Sequence, residues 1–203
     1  VTKHYDQAYF DRWYRDPRHR TLRAADLRRD VQLAVSLAEW VLQRPLRTVL
    51  DVGAGEGRWR APLRALRPRV RYIGVEPSAW AVRRWGTRRD LRHGDLGTLH
   101  QLGLPGPFDL VVCADVLHYL STPRLREGLQ RLAPFVGGLA FCPTFTGADG
   151  VVGDLEAFQG HRRQATYRRA FAGAGLRQVG PHAWVPRDVA EGLAELESGP
   201  PDR

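Results

Sequence analysis

Three glycines at alternate positions, Gly53, Gly55 and Gly57, follow the apolar run Val49-Leu50-Asp51-Val52 in "VLDVGAGEGRWR". Glycines spaced this way let the backbone turn sharply out of a strand and let a ligand lie against it with no Cβ in between. Acids then stand at the ends of later apolar runs: Glu76 in "YIGVEP", Asp95 in "RHGDL" and Asp115 in "VVCADVLHYL". About twenty residues past such a loop, a carboxylate can accept hydrogen bonds from both hydroxyls of a ribose. At the next strand end, one can receive the exocyclic amine of an adenine. Each acid alone also reads as a cap for the following helix. The spacing is G-x-G-x-G and not the dinucleotide pattern G-x-G-x-x-G, because Arg58 stands where the third glycine would sit. His118, three residues past Asp115, is a candidate general base, since the two would share a face on a short helical turn. A histidine packed on a helix surface would suit the same position, and both readings stay open. His161, the other histidine considered as a base, falls in the polar stretch "QGHRRQATY", which reads as a loop.

The elements that must position these groups are legible as alternating apolar and helical patterns. Strand-like runs are expected at 47–52, 70–76, 90–96, 108–115 and 135–142, with "LRQVGPHAWV" as a further strand-like stretch near the end. Between them, "RWRAPLRAL", "SAWAVRRWG", "TPRLREGLQRLA" and "QATYRRAFAGAG" carry helical period. Such alternation predicts an α/β fold, a doubly wound and mostly parallel sheet of the seven-stranded type with helices on both faces. Pro62 predicts that the helix after the glycine loop starts only near Arg60. Ahead of the first strand, Leu27, Val31, Ala34, Val35, Ala38, Val41 and Leu42 fall on one helix face that stops by Pro45. Further upstream, Tyr5, Tyr9 and Trp13 lie four apart, an aromatic stripe on a short helix. The expected organisation is a helical lid over 1–44, a binding and catalytic domain over 45–195 and a loose tail over 196–203.

Composition narrows the class. The chain has 203 residues, 43% apolar and 26% charged, and a formal charge of +9. Of its 31 basic residues only Lys3 is a lysine; the arginines are spread along presumed helix faces and form no cluster interleaved with aromatics. A solvated arginine-rich surface is therefore preferred to a nucleic-acid track. Cys113 and Cys142 lack metal-ligand spacing, so neither a disulfide framework nor a metal site is expected. No stretch reads as a membrane span or secretory signal, and a cytoplasmic protein, monomer or homodimer, is expected.

Over roughly residues 45–185 the sequence resembles the class I S-adenosylmethionine-dependent methyltransferases. "VLDVGAGEG" is similar to the family's first motif, "YIGVEP" to its second, "RHGDL" to its third and "FDLVVCADVLHYL" to its fourth. The resemblance implies a Rossmann-like methyltransferase fold, with S-adenosyl-L-methionine as cofactor and S-adenosyl-L-homocysteine as product. It implies that Gly53, Ala54, Gly55 and Gly57 pack against the cofactor and that Asp51 orients their loop. Glu76 with Pro77 would hold the ribose, Asp95 with Leu96 the adenine, and Ala114 with Asp115 the methionyl end. Asp51 and Asp115 are the candidates to face the ligand's ammonium and sulfonium, and backbone N–H groups at the next helix start would suit its carboxylate. The acceptor pocket must come from outside this core. Tyr9, Trp13 and Tyr14 are the lid candidates, and Phe145, Phe158 and Arg162 the acceptor-side ones. After the fourth strand stands "CADV" and no Asn-Pro-Pro-Tyr tetrapeptide, which resembles the small-molecule branches. The expected activity is methyl transfer to O, N or S of a small molecule. The alternatives are an RNA or protein methyltransferase docking through arginines and a non-catalytic binding protein. An NAD(P) oxidoreductase is disfavoured by Arg58 and by the lack of a Tyr-x-x-x-Lys pair.

Overall fold

In the computed structural model, which describes residues 5–19, 23–151 and 153–193, the apolar runs bury both of their faces. Lys3 and the expected tail 196–203 lie outside the described residues. Strand β1 (Thr48–Val52) sends Val49 into one core cluster and Leu50 and Val52 into the other. β2 (Arg71–Glu76), β3 (Leu91–His93), β4 (Phe108–Val112) and β5 (Val136–Phe141) extend the sheet in parallel. Strands covered on both sides read as continuous apolar runs, which is why the sequence marks them clearly. The order is β3-β2-β1-β4-β5-β7-β6, where β6 is Leu176–Gly180 and β7 is Ala183–Pro186. The stretch 176–185 is thus two strands and not one. Pro181 cannot donate to a ladder, and His182 takes a left-handed conformation (φ +56°), so the chain reverses there and β7 runs antiparallel to both β5 and β6.

Helices cover the two faces. α1 is the short Gln7–Phe10 helix; α2 (Ala24–Leu42) and α3 (Arg60–Leu66) pack in the first cluster. α4 (Ala79–Arg89) adds Val82 and Trp85 to that face. α5 (Thr122–Leu132) and α6 (Gln164–Gly173) cover the other face, and α7 (Arg187–Glu191) follows β7. α2 buries Leu27, Val31, Ala34, Val35 and Ala38 as its spacing predicts, with Val41 and Leu42 partly buried, and ends at left-handed Gln43. It is a layer of the core, so among the described residues of 1–44 only 5–19 lie over the sheet's edge as a cap.

The amino end of the sheet is held by Asp109. Its carboxylate takes a two-pronged pair from Arg44 (2.6 and 3.0 Å) and the N–H groups of Arg47 (2.7 Å) and Thr48 (3.2 Å). Burial pushes its pKa up, but Arg44 and the backbone donors outweigh that and leave it lowered. We expect Asp109→Ala to cost about 2–3 kcal/mol in urea unfolding, mostly from the backbone donors, because Arg44 is partly exposed. The sign of the pH effect follows from the lowered folded pKa. This increment is full above the unfolded carboxylate pKa and is lost as pH falls through the folded one. Wild type should therefore lose its advantage over Asp109→Asn on acidification below about pH 4.

Candidate active site

The glycine loop leaves β1 at the carboxyl edge of the sheet, where open α/β folds bind ligands. Gly53, Gly55 and Gly57 have φ of +76°, +57° and +69°, a region that side chains rarely enter. A Cβ on Gly53 would collide with Val116, and one on Gly55 with the Tyr14 hydroxyl. Gly53 and Ala54 donate to the carbonyl of Val75 (2.8 and 3.1 Å). Buried Glu76 accepts from Gly55 N–H (2.7 Å) through Oε2 and from Ser78 N–H (2.8 Å) through Oε1. Burial raises its pKa against those two donors. Each oxygen keeps a further lone pair, so the acid that would receive ribose hydroxyls also fixes the loop.

That corrects the role expected of Asp51. Its carboxylate accepts from the Tyr72 hydroxyl (2.6 Å), and the loop is oriented by Glu76 and the Val75 carbonyl instead. Buried Asp51 has its pKa pushed up to about 7 by desolvation, with Tyr72 opposing and the Glu76 charge adding. α3 begins at Arg60, as Pro62 predicts. Its start therefore lies three residues past Gly57, after a turn closed by the Arg60 N–H donating to the Gly57 carbonyl (3.3 Å).

Two further expectations shift. β3 ends at His93, so Asp95 lies in the loop beyond it, exposed, with Oδ1 accepting from Thr98 N–H (2.9 Å) and hydroxyl (3.1 Å). It closes the turn from Asp95 to Thr98 ahead of the 3-10 turn at Leu99–Gln101, and only Oδ2 remains for a ligand. Leu96 beside it is buried and Pro77 is exposed. Asp115 and His118 do not share a helical turn. Asp115 is left-handed (φ +59°), and the 3-10 turn spans Leu117–Tyr119. Next to half-buried Ala114, the Asp115 side chain is reached by solvent yet hemmed in, and has no hydrogen-bond or ion-pair partner among the described residues. Desolvation and the charge of Asp30 on α2 raise its pKa to about 6.

The N-terminal segment crosses this edge with a phase that the sequence did not show. After α1 the chain widens into a π turn at Asp11–Arg15, which rotates the later side chains relative to an α-helix. Trp13 accordingly leaves the stripe and packs edge-on to His19. Phe10 and Tyr14 take the inward positions instead. Phe10 stacks on Trp80 (5.2 Å) and Tyr14 stands over Gly55 with Arg58 across its ring (5.2 Å). Tyr9 packs edge-on to Tyr5 and Phe10 (4.9 and 5.4 Å). Arg15 pairs with Glu56 of the loop, and the Ser78 hydroxyl donates to the Tyr5 carbonyl.

On the other side, His118 is 1% exposed among Tyr119, Phe145 and Phe158 (4.4, 5.7 and 5.5 Å between ring centroids). Desolvation, then the Arg162 charge, lowers its pKa to about 4, and its Nδ1 has no partner among the described residues. Burial without a carboxylate favours the packing reading of His118. Arg162, expected on the acceptor side, is 4% exposed. It donates to the carbonyls of Leu117 (3.3 Å) and Leu120 and to the Tyr167 hydroxyl (3.2 Å), pinning the turn that carries His118. His161 is exposed. Sequence reasoning missed Phe10, Glu56, Asp30 and His182. Of these only His182 left a signal, the proline before it inside a strand-like run.

Residues 50–136 match the family model described as a methyltransferase domain. No curated protein sequence matches the chain. Among solved structures, DesVI of Streptomyces venezuelae superposes at TM-score 0.60 with 18% identity, over 80% of this chain and 93% of that one. Magnesium protoporphyrin IX methyltransferase (ChlM) of Synechocystis PCC 6803, with bound S-adenosylhomocysteine, gives 0.54 and 18%, over 90% and 96%. An O-methyltransferase family protein of Burkholderia thailandensis gives 0.51 and 21% over 79% of this chain, which spans only 56% of that protein. At these identities the likeness is one of fold. No helix among the described residues is long and apolar enough to cross a membrane.

Proposed function

Residues 50–136 match the methyltransferase-domain family model, and on that premise we propose that the chain transfers a methyl group from S-adenosylmethionine to O, N or S of a small-molecule acceptor. The observation that carries the reading is the left-handed glycine cradle tied to Glu76, at the same sheet edge as Asp115, whose carboxylate has no hydrogen-bond or ion-pair partner among the described residues. The donor set fits the cofactor's chemistry. It offers bare backbone and carboxylates and no lysine of phosphate-binding type, which suits a phosphate-free cation.

The cofactor supplies a methyl group on a cationic sulfur, which leaves as a neutral thioether. The chain's part is to bind, align and keep water out, and alignment alone contributes up to about 7–11 kcal/mol in favourable cases. Glu76 and Gly55 fix the ribose end, Oδ2 of Asp95 and the Leu96 backbone receive the adenine, and Ala114–Asp115 flank the methionyl end. Pro77 shapes the floor beside Glu76. Tyr14 and Tyr9 close the top, and Phe145 and Phe158 wall the acceptor side with His118 between them.

Calorimetric titration with S-adenosylmethionine and with NAD(P), followed by a labelled-methyl screen of metabolite extract against total RNA, tests this reading. Binding of NAD(P) alone would remove it. Label in RNA, with binding that weakens steeply as salt rises, would point to a polyanionic acceptor held by the arginines. A pH dependence follows as well. Asp51 and Asp115 have raised pKa values, and a cationic ligand favours their ionised forms. Affinity for S-adenosylmethionine should therefore climb between about pH 5 and pH 8, with protons released on binding below that plateau. Calorimetry in buffers of different ionisation enthalpy reads both.

A further inference from the structure

Phe145 lies between two histidines, His118 at 5.7 Å and His182 at 5.6 Å between ring centroids. The two differ in the properties a proton acceptor needs. His118 is sealed, next to a buried arginine, with no carboxylate acting on it. His182 is half-buried at the second position of the two-residue Pro181–His182 turn. Its carbonyl accepts from Cys142 N–H (2.8 Å), and Asp115 N–H donates to the carbonyl of Pro143 (3.2 Å). These bonds set Asp115, Cys142–Pro143 and His182 side by side on neighbouring chain segments along the sheet edge that carries the glycine loop.

Charged groups surround His182 from more than one element. Asp30 on α2 and Asp149 on the 147–149 turn both favour its protonated form, while burial lowers its pKa. Asp30 acts on Asp115 as well, and is itself acted on by Asp26 and Arg29. The free base is thus the resting form near neutrality, with carboxylates in place to stabilise the imidazolium once it forms. The backbone adds an independent sign. His182 holds a left-handed φ of +56° where glycine or asparagine would sit with less strain. Strain retained at a non-glycine residue beside a candidate site points to a function for its side chain.

We propose that His182, with the Asp30 carboxylate of α2 nearby, is the catalytic residue that takes the acceptor's proton during methyl transfer. The assignment rests on the methyltransferase reading above. An acceptor lone pair forms the new bond to the methyl carbon as the carbon–sulfur bond breaks, its electron pair going to sulfur. The proton carried by the acceptor atom passes to the imidazole and later to solvent. Acceptors that carry such a proton on an atom with a free lone pair, hydroxyls and neutral amines, are the class this arrangement serves.

The test follows the His182 imidazole by NMR titration in the full chain saturated with S-adenosylmethionine and, separately, with S-adenosylhomocysteine. The sulfonium's extra charge should give a lower His182 pKa in the first complex, and Asp30→Asn should lower it in both. Identical titrations in the two complexes would overturn the assignment. Failure to bind either ligand would remove the methyltransferase reading, and this assignment with it. His182→Asn should keep or raise the melting temperature, because asparagine accepts the left-handed turn. The same variant should cut labelled-methyl transfer to a panel of phenols and primary amines at least tenfold at neutral pH. A lower melting temperature, or an unchanged rate, would show the ring to be structural. The titration decides the assignment whether or not the panel contains an acceptor.

Discussion

Glu76→Ala is expected to weaken S-adenosylmethionine binding ten- to a hundredfold, about 1.4–2.8 kcal/mol, as read by calorimetry. Two losses combine. The ribose hydroxyls lose their acceptor, and Gly55 N–H and Ser78 N–H lose the carboxylate that fixes the glycine loop and the start of α4. Glu76→Gln separates them. An amide keeps one oxygen for Gly55 or Ser78 and stays isosteric, but its nitrogen cannot accept, so it should fall between wild type and alanine. If alanine bound as tightly as wild type, the ribose assignment would fail. If glutamine were as poor as alanine, loop order would not be the main contribution.

The second large effect is on stability. Arg162→Met should cost about 3 kcal/mol in urea unfolding, since it strips donors from the Leu117 and Leu120 carbonyls and from Tyr167 in a region closed to water. Relief of burying a charge offsets part of that cost. The variant should also let the His118 imidazole titrate at higher pH, because the guanidinium contributes to its lowered pKa. Lysine is a poor substitute: a single ammonium cannot span three acceptors as a planar guanidinium does. An unchanged midpoint would mean that water or a rearranged turn satisfies the two carbonyls.

Much of this was legible before any coordinates. The parallel strands announce themselves because burial on both faces leaves them few polar positions, and Leu27 to Ala38 mark one face of α2 by spacing alone. The glycine loop and Glu76 were readable for a similar reason: a tight turn and an acid at a fixed interval leave few chemical alternatives. What failed was phase and partnership. The π turn after Phe10 moves Trp13 out and Tyr14 in, and no residue type signals one extra residue in a helical turn. The family resemblance gives Asp51 to the loop, whereas Tyr72 on the adjacent strand reaches it first. Arg162 falls on the acceptor side by position alone in the sequence, and only folding shows that it is enclosed. His182 was hidden inside a stretch taken as one strand, although Pro181 already argued for a reversal there.

The anchoring of residues 5–15 has a kinetic corollary. Arg15 grips Glu56 on one side of the cleft, and on the other the Tyr5 carbonyl meets Ser78 while Phe10 rests on Trp80. With Tyr14 standing over Gly55, anything that settles on that glycine must first displace the phenol and loosen these ties. Exchange rates for the nucleoside should then track how fast the strap unfastens, so that Glu56→Gln speeds arrival and departure alike. Stopped-flow tryptophan emission, with Trp80 directly beneath the strap, would register each opening.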